Sequence, residues 1–342
     1  IMNTGIIFIG TILASWMGTT GAAMLLIRPL LRANKDRKYK VHVVVFFIFL
    51  VANIGGSLTP LGDPPLFLGF LKGVDFFWTT KAMFLPMLFL VVCLLIIFYI
   101  YDTIQYKKEE TIPKPSSSEK IGLKGSFNLL LIIGVVFSVL LSGFWRPHID
   151  FNIYHVHVEL QNITRDLLLL ALAYASWKFT SKQIREANEF NWFPILEVAK
   201  LFAGIFITII PAIAILKAGT SGALALIVNS VSSDSGPVNH MYFWLTGILS
   251  SFLDNAPTYL VFFNTAGGNP QVLMGELSNT LLAISAGAVF MGANTYIGNA
   301  PNFMVKSIAE SSGIDMPSFF GYFLYSIVIL FPLFGLVSWI FF

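Results

Sequence analysis

Two stretches decide how this chain is read: Gly55–Leu68, GGSLTPLGDPPLFL, and Met291–Met304, MGANTYIGNAPNFM. Both fit G-x-x-T-x-[LI]-G-[DN]-x-P-x-F. The pairs Gly56/Gly292, Thr59/Thr295, Gly62/Gly298, Asp63/Asn299, Pro65/Pro301 and Phe67/Phe303 recur at an offset of 236 residues. At that same offset Ser15–Leu26, SWMGTTGAAMLL, lies over Ser251–Phe262, SFLDNAPTYLVF. Each of these is an apolar arm, a small polar tip and a second apolar arm. Two polar-tipped elements at equal spacing in each half point to an internal duplication.

The arms around these breaks are apolar but short. Val41–Ile54 would be about 21 Å long as a helix, at about 1.5 Å per residue, and hydrocarbon is about 30 Å thick. Leu66–Leu71 is shorter still, so only the two arms together span a membrane, which puts the polar break near mid-depth. The same holds for Leu277–Phe290 with Asn302–Ile308. Gly/Pro-interrupted apolar segments at corresponding places in two halves are the mark of a transport site. Composition agrees. Of 342 residues 56% are hydrophobic and 11% charged, and mean hydropathy is +0.76. A soluble domain carries about twice that charged fraction. Phe84–Tyr101 and Ser318–Phe342 are uncharged, and Gly122–Phe144 holds only Lys124. The expected fold is therefore an all-α polytopic membrane protein of inverted structural repeats, each with a re-entrant hairpin and a broken transmembrane helix.

Basic residues set the expected orientation. Arg28, Arg32, Lys35, Arg37, Lys38 and Lys40 share one loop. Lys107, Lys108, Lys114, Lys120 and Lys124 flank the polar stretch Tyr106–Lys120, and Lys178, Lys182 and Arg185 precede Trp192. All are assigned to the cytoplasm. The alternation closes only if the segments around Met17–Gly21 and Leu253–Thr258 dip into the membrane and return, the second over about His240–Asn264. Spans are then expected at Thr80–Gln105, Leu123–Phe144, Thr164–Phe179, Ile195–Lys217 and Ser318–Phe342. Residues 1–105 form the first repeat, 106–121 a cytoplasmic linker and 122–342 the second repeat. Three apolar segments precede the second hairpin but only about fourteen residues precede the first. The repeat therefore predicts further helices, roughly a hundred residues or more, ahead of Ile1. Ile1-Met2-Asn3 carries no basic leader, and the single Cys93 permits neither an internal disulfide nor a CxxC pattern.

Chemistry gathers at the tips and breaks. A broken helix exposes carbonyl and N–H groups that lack partners. Carbonyls and side-chain oxygens suit hard cations such as Na⁺, and helix N-termini suit anions. The donors are Thr19 and Thr20; Ser57, Thr59 and Asp63; Asp254, Asn255 and Thr258; and Asn294, Thr295 and Asn299. They contain no Cys or His, which disfavours a soft transition metal. A carboxylate at membrane depth costs about 2.5–3.5 kcal/mol on insertion scales, so Asp63 and Asp254 need a reason. One is exchange of H⁺ for Na⁺ on the carboxylate. The other is capping of the half-helix that follows, since both precede prolines; the two roles can coexist. His148, His155 and His157 read as one solvated external loop. Glu197 and Lys200 read as a structural ion pair on one helix face, Pro211 as a kink, and Trp145, Trp192 and Trp244 as interfacial aromatics.

Several segments together resemble the NhaD-type sodium/proton antiporters of the ion transporter superfamily, which also holds citrate, dicarboxylate and arsenite carriers. They are GTTGAAMLLIRPLLRAN, NIGGSLTPLGDPPLFLGFLKGVDFFW, EVAKLFAGIFITIIPAIAIL, SSFLDNAPTYLVFFN and GANTYIGNAPNFMVKSIAE. The resemblance covers essentially the whole chain. It implies a scaffold and a transport domain with two hairpins, a homodimer, and an ion site at Thr19, Thr20, Ser57, Thr59, Asp63, Asp254, Asn255, Asn294 and Thr295. The dicarboxylate branch has Ser-Asn-Thr at both tips, whereas these tips read Gly-Thr-Thr and Asp-Asn-Ala.

The leading expectation is therefore exchange of Na⁺ (or Li⁺) for H⁺ across the inner membrane by alternating access. Cation and proton would compete for Asp254 together with Asp63. Coupled uptake of citrate or another organic anion is the alternative, with Asn255, Asn294 and half-helix N-termini as carboxylate donors. The expected partners are the bilayer, small cations and a second copy of the chain, with no nucleic acid and no cofactor. There is no HExxH, no nucleophile–base pair and no cofactor motif, so catalysis is not expected.

Overall fold

A computed structural model describes residues 2–109, 125–145, 147, 149–153, 156–187 and 236–342, and scattered positions between 190 and 233. The chain forms two compact units, residues 1–116 with 201–342, and residues 117–200. Helices dominate both.

The larger unit opens with α1 (Met2–Met17) and α2 (Thr19–Ala33), separated by Gly18 alone. Gly18 has φ +84°, which a residue with a side chain adopts at a cost, so the break sits where glycine stands. Then follow α3 (Val41–Leu50), a 3₁₀ turn Ile54–Ser57, α4 (Pro64–Leu71) and the long α5 (Phe76–Lys107).

The smaller unit holds α6 (Phe127–Phe144), β1 (Asp150–Ile153), β2 (Val156–Glu159), α7 (Leu160–Phe179) and α8 (Lys182–Ala187). Chain 225–342 of the larger unit supplies α9 (Ala225–Val231), α10 (Asn239–Phe252), α11 (Asn255–Thr265), α12 (Pro270–Met274) and α13 (Ser278–Met291). A second 3₁₀ turn, Gly292–Asn294, leads to α14 (Ala300–Ser311) and α15 (Phe319–Phe341).

Among the described residues three helices are long and apolar enough to cross a membrane: α5, α6 and α15. This is a helical membrane protein. α5 shows the rule for such helices. Met83, Met87, Leu90, Leu94 and Phe98 form a buried stripe at helical spacing, while Leu85, Leu88, Val92, Ile96 and Ile100 stay exposed. An apolar outer face has nothing to gain from water and is at home in lipid. α3 and α13 are different. His42 through Leu50 and Thr280 through Met291 are buried without interruption. A helix that is apolar on every face belongs inside, and these two lead into the breaks.

In the smaller unit α6 and α7 pack together, and Asn128 Oδ1 accepts from Ser176 Oγ at 2.7 Å. The expected solvated loop is here a β-hairpin: β1 and β2 pair antiparallel with Asp150 opposite Glu159. The sequence Ile149-Asp150-Phe151-Asn152-Ile153 and Val156-His157-Val158-Glu159 alternates apolar and polar residues, the period of a strand. His148, His155 and the side chain of His157 lie outside the described residues. So do Glu197, most of Ile195–Lys217 and the linker beyond residue 109. Trp244 is partly buried, and its Nε1 donates to Ser338 Oγ of α15 at 3.2 Å.

One charged cluster ties the first helix pair to α5. Arg37 Nη1 lies 2.7 Å from Asp102 Oδ1, and His42 Nε2 lies 2.9 Å from the same oxygen. Asn3 and Asn34 exchange amide bonds at 2.9 and 2.8 Å, and Asn3 also donates to Asp102 Oδ2 at 3.3 Å. Glu109 accepts from the backbone of Lys38 and Tyr39. The Arg37 and Asp102 side chains are 6% and 14% exposed, so removing one partner strands a largely buried charge. Arg37→Met is expected to cost about 3 kcal/mol, and Arg37→Met with Asp102→Leu considerably less. Thermal unfolding in detergent measures both.

Candidate functional site

Asp63 is the side chain on which the larger unit converges. It is 2% exposed and precedes Pro64 and Pro65 at the start of α4. Although it occupies the N-cap position, its carboxylate caps nothing. Oδ1 accepts from Asn299 Nδ2 at 2.8 Å and from Thr19 Oγ1 at 3.2 Å. Oδ2 accepts from Asn255 Nδ2 at 2.6 Å. Thr19 is the first residue of α2, Asn255 the first of α11, and Asn299 the N-cap of α14. Four helices therefore begin within one hydrogen bond of a single carboxylate. Each helix N-terminus carries a partial positive charge of about half an elementary charge, so the point of convergence favours a negative group. All three side-chain partners of Asp63 are neutral.

Three side-chain hydrogen bonds recur at the two breaks. Thr59 Oγ1 donates to the carbonyl of Ser15, and Thr295 Oγ1 to that of Ser251. Ser15 Oγ donates to the carbonyl of Gly55, and Ser251 Oγ to that of Met291. Leu61 N reaches Thr59 Oγ1 at 3.2 Å, as Ile297 N reaches Thr295 Oγ1 at 3.2 Å. Asp63 has φ −142° and ψ 143°, and Asn299 φ −153° and ψ 139°. In each case the partners stand 236 positions apart, the offset seen in the sequence. The threonines thus fasten each break to the neighbouring helix pair through backbone carbonyls.

The predicted residues separate by environment. Thr19, Asp63, Asn255 and Asn299 meet in one cluster. Thr20 is exposed. Asp254 is partly exposed and caps α11, accepting from Ala256 N at 3.0 Å, and Thr258 Oγ1 donates to the Asp254 carbonyl at 2.9 Å. Asn294 Nδ2 donates to Ser251 Oγ at 2.9 Å. Ser57 Oγ and Asn294 Oδ1 are buried and have no hydrogen-bond partner.

Sequence reasoning passed over Asn53 and Asn302. Asn302 Nδ2 donates to the carbonyls of Gly292 and Thr295, both at 2.8 Å, and its Oδ1 accepts from Asn53 Nδ2 at 2.7 Å. The signal was the broken symmetry: at an offset of 236, Asn302 stands over Leu66, and Val289 over Asn53.

The breaks are closed by glycine pairs. A Cβ on Gly298 would lie 2.5 Å from the Gly292 carbonyl oxygen and 2.9 Å from that of Ser250, and one on Gly62 would collide with the Gly56 carbonyl. Backbone atoms cannot swing aside. Gly298→Ala is expected to cost about 2–3 kcal/mol or to block folding. Gly5→Ala, in helix α1 with open space around it, should be neutral or slightly stabilising. Thermal melts of the purified variants separate the two.

The family model described as "Putative citrate transport" matches residues 1–342. No curated protein matches the chain.

Proposed function

We propose that this chain, which belongs to the family described as "Putative citrate transport", is a cation-coupled carrier of citrate or a related organic anion, with Asp63 as the coupling carboxylate. The observation that carries this reading is the meeting of four helix N-termini at Asp63. While Asp63 bears its charge, it satisfies those positive ends itself. When H⁺ or Na⁺ neutralises it, the N-termini and the amides of Asn255 and Asn299 are released for the carboxylates of a substrate. Cation first and anion second is then a consequence of electrostatics, and the anion is not expected to bind well alone. In this reading Ser57, Asn294 and Thr19 supply further oxygens to the cation. Asp254 shapes the field from the start of α11, and Thr20 lies at the edge.

The carrier would work in the inner membrane by alternating access, as two inverted halves. Each half contributes a hairpin that enters and leaves from one side and a helix broken at mid-depth. The hydrogen bonds that recur at the two breaks support the duplication. Enclosure of α3 and α13 supports the placement of irregular backbone inside protein, the condition for its survival at membrane depth. A homodimer remains part of the proposal.

A second reading is Na⁺/H⁺ exchange without an organic substrate. It is favoured by the neutrality of every side-chain partner of Asp63: no cationic side chain waits there for an anion. Proteoliposomes distinguish the two. Labelled citrate should accumulate under an inward Na⁺ or proton gradient, and Asp63→Asn should abolish that accumulation. Dissipation of a pH gradient by Na⁺ alone, with no uptake of any di- or tricarboxylate, would refute the anion carrier and leave exchange.

A further inference from the structure

Asn302 closes the first turn of α14, where its backbone N–H donates to the carbonyl of Asn299 at 3.0 Å. Its side chain is fully buried and works in two directions. Nδ2 donates to the carbonyls of Gly292 and Thr295 in the second break. Oδ1 accepts from Asn53 Nδ2 at 2.7 Å, and that nitrogen also donates to the carbonyl of Ile48 at 2.8 Å. Each Nδ2 has oxygens on both sides, so both amides are fixed in direction.

One turn earlier, Asn299 Nδ2 donates to Asp63 Oδ1 at 2.8 Å and to the carbonyl of Ala52 at 3.2 Å. Ala52 and Asn53 are neighbours just past the end of α3. Two asparagines a turn apart on α14 therefore hold two adjacent residues of the first half. The hold is one-sided. At the offset of 236 residues, Asn299 stands over Asp63 and Asn302 over Leu66. A carboxylate and an alkyl group have no N–H to give. The carbonyl of Ala288, which corresponds to Ala52, accepts from Ser250 Oγ of its own half at 2.7 Å.

Asn299 makes no cap bond with its side chain, so the direction of its amide depends on where the first turn of α14 is held. We propose that Asn302, through its bond to Asn53, is a positioning residue that directs the Asn299 amide at a substrate carboxylate once Asp63 is neutralised. The substrate in this statement rests on the carrier reading. The Asn299 amide serves either Asp63 or the anion. A displaced amide therefore weakens anion binding, while the charged Asp63 loses a competing donor and keeps its hold on the cation.

Citrate uptake into proteoliposomes by wild type, Asn302→Leu, Asn299→Ala and the double variant tests the assignment; leucine is the residue of the first repeat at this place. Asn302→Leu should raise half-saturating citrate about tenfold, equivalent to about 1.4 kcal/mol. Half-saturating Na⁺ should not rise. In the Asn299→Ala background the same substitution should add little, because it acts through that amide. A purely structural role would lower the maximal rate and the melting temperature and leave half-saturating citrate alone. Should Asn302→Leu not fold, Asn53→Val breaks the joint while leaving the two carbonyl bonds of Asn302 in place, and should give the same split. Unchanged half-saturating citrate in a folded variant, or full additivity with Asn299→Ala, overturns the proposal. Hydrogen exchange needs no transport: the backbone amides at the start of α14 should exchange faster in both variants, and unchanged exchange there overturns the positioning role while leaving the carrier reading standing. Faster exchange with no uptake of any di- or tricarboxylate by wild type overturns the carrier reading and the substrate named here, and upholds Asn302 as the residue that holds Asn299 in place.

Discussion

The hydrogen bonds to the Asp63 carboxylate are the constraint from which the rest of the larger unit follows. A carboxylate with 2% exposure must be surrounded by donors. Here they come from Thr19, Asn255 and Asn299, on three elements far apart in sequence. Holding them in place requires that α2, α4, α11 and α14 all start at one spot. That requires breaks at Gly18, before Asp63, before Asn255 and before Asn299. Each break in turn needs its freed backbone groups satisfied, which Ser15, Thr59, Ser251 and Thr295 do through matching bonds.

The packing provides the shelter this demands. α3 and α13 are buried along almost their whole length, while α5 and α15 turn broad apolar faces outward. Where helices meet lipid, burial from water no longer drives association, and close packing with internal polar bonds takes over. Small residues do that at the breaks: Gly62 approaches Gly56, and Gly298 approaches Gly292, so closely that a methyl group would not fit. The polar network is correspondingly unforgiving, since a partly satisfied buried network is worse than none. Among the buried oxygens left without a partner, those on Asn53, Ser57 and Asn294 belong to the two breaks.

Much of this was legible in the sequence because it is written as repetition. The offset of 236 residues paired Gly62 with Gly298 and Thr59 with Thr295, and the two threonine hydroxyls donate to carbonyls at that same offset. The breaks themselves were visible as Gly/Pro interruptions in apolar arms. Less legible was which aspartate does what. Asp63 and Asp254 both precede prolines, and a cap and a buried acceptor look alike in one dimension. Only the fold puts Asp254 on Ala256 N and Asp63 on three distant donors. Asn53 and Asn302 were passed over because they stand opposite Val289 and Leu66, and the eye follows agreement between repeats. Here the disagreement marked two residues that bond to one another across the breaks. The stretch Asp150–Glu159 was read as a solvated loop because of its polar residues, although the alternation of a hairpin was present.

The account places cation exchange on Asp63, with Asp254 in a supporting position. The most direct measurement is the proton released when Na⁺ is added to the purified protein in weakly buffered detergent solution, for wild type, Asp63→Asn and Asp254→Asn. The account predicts proton release from wild type and from Asp254→Asn, and none from Asp63→Asn. Release that persists in Asp63→Asn, or that disappears in Asp254→Asn alone, would contradict it.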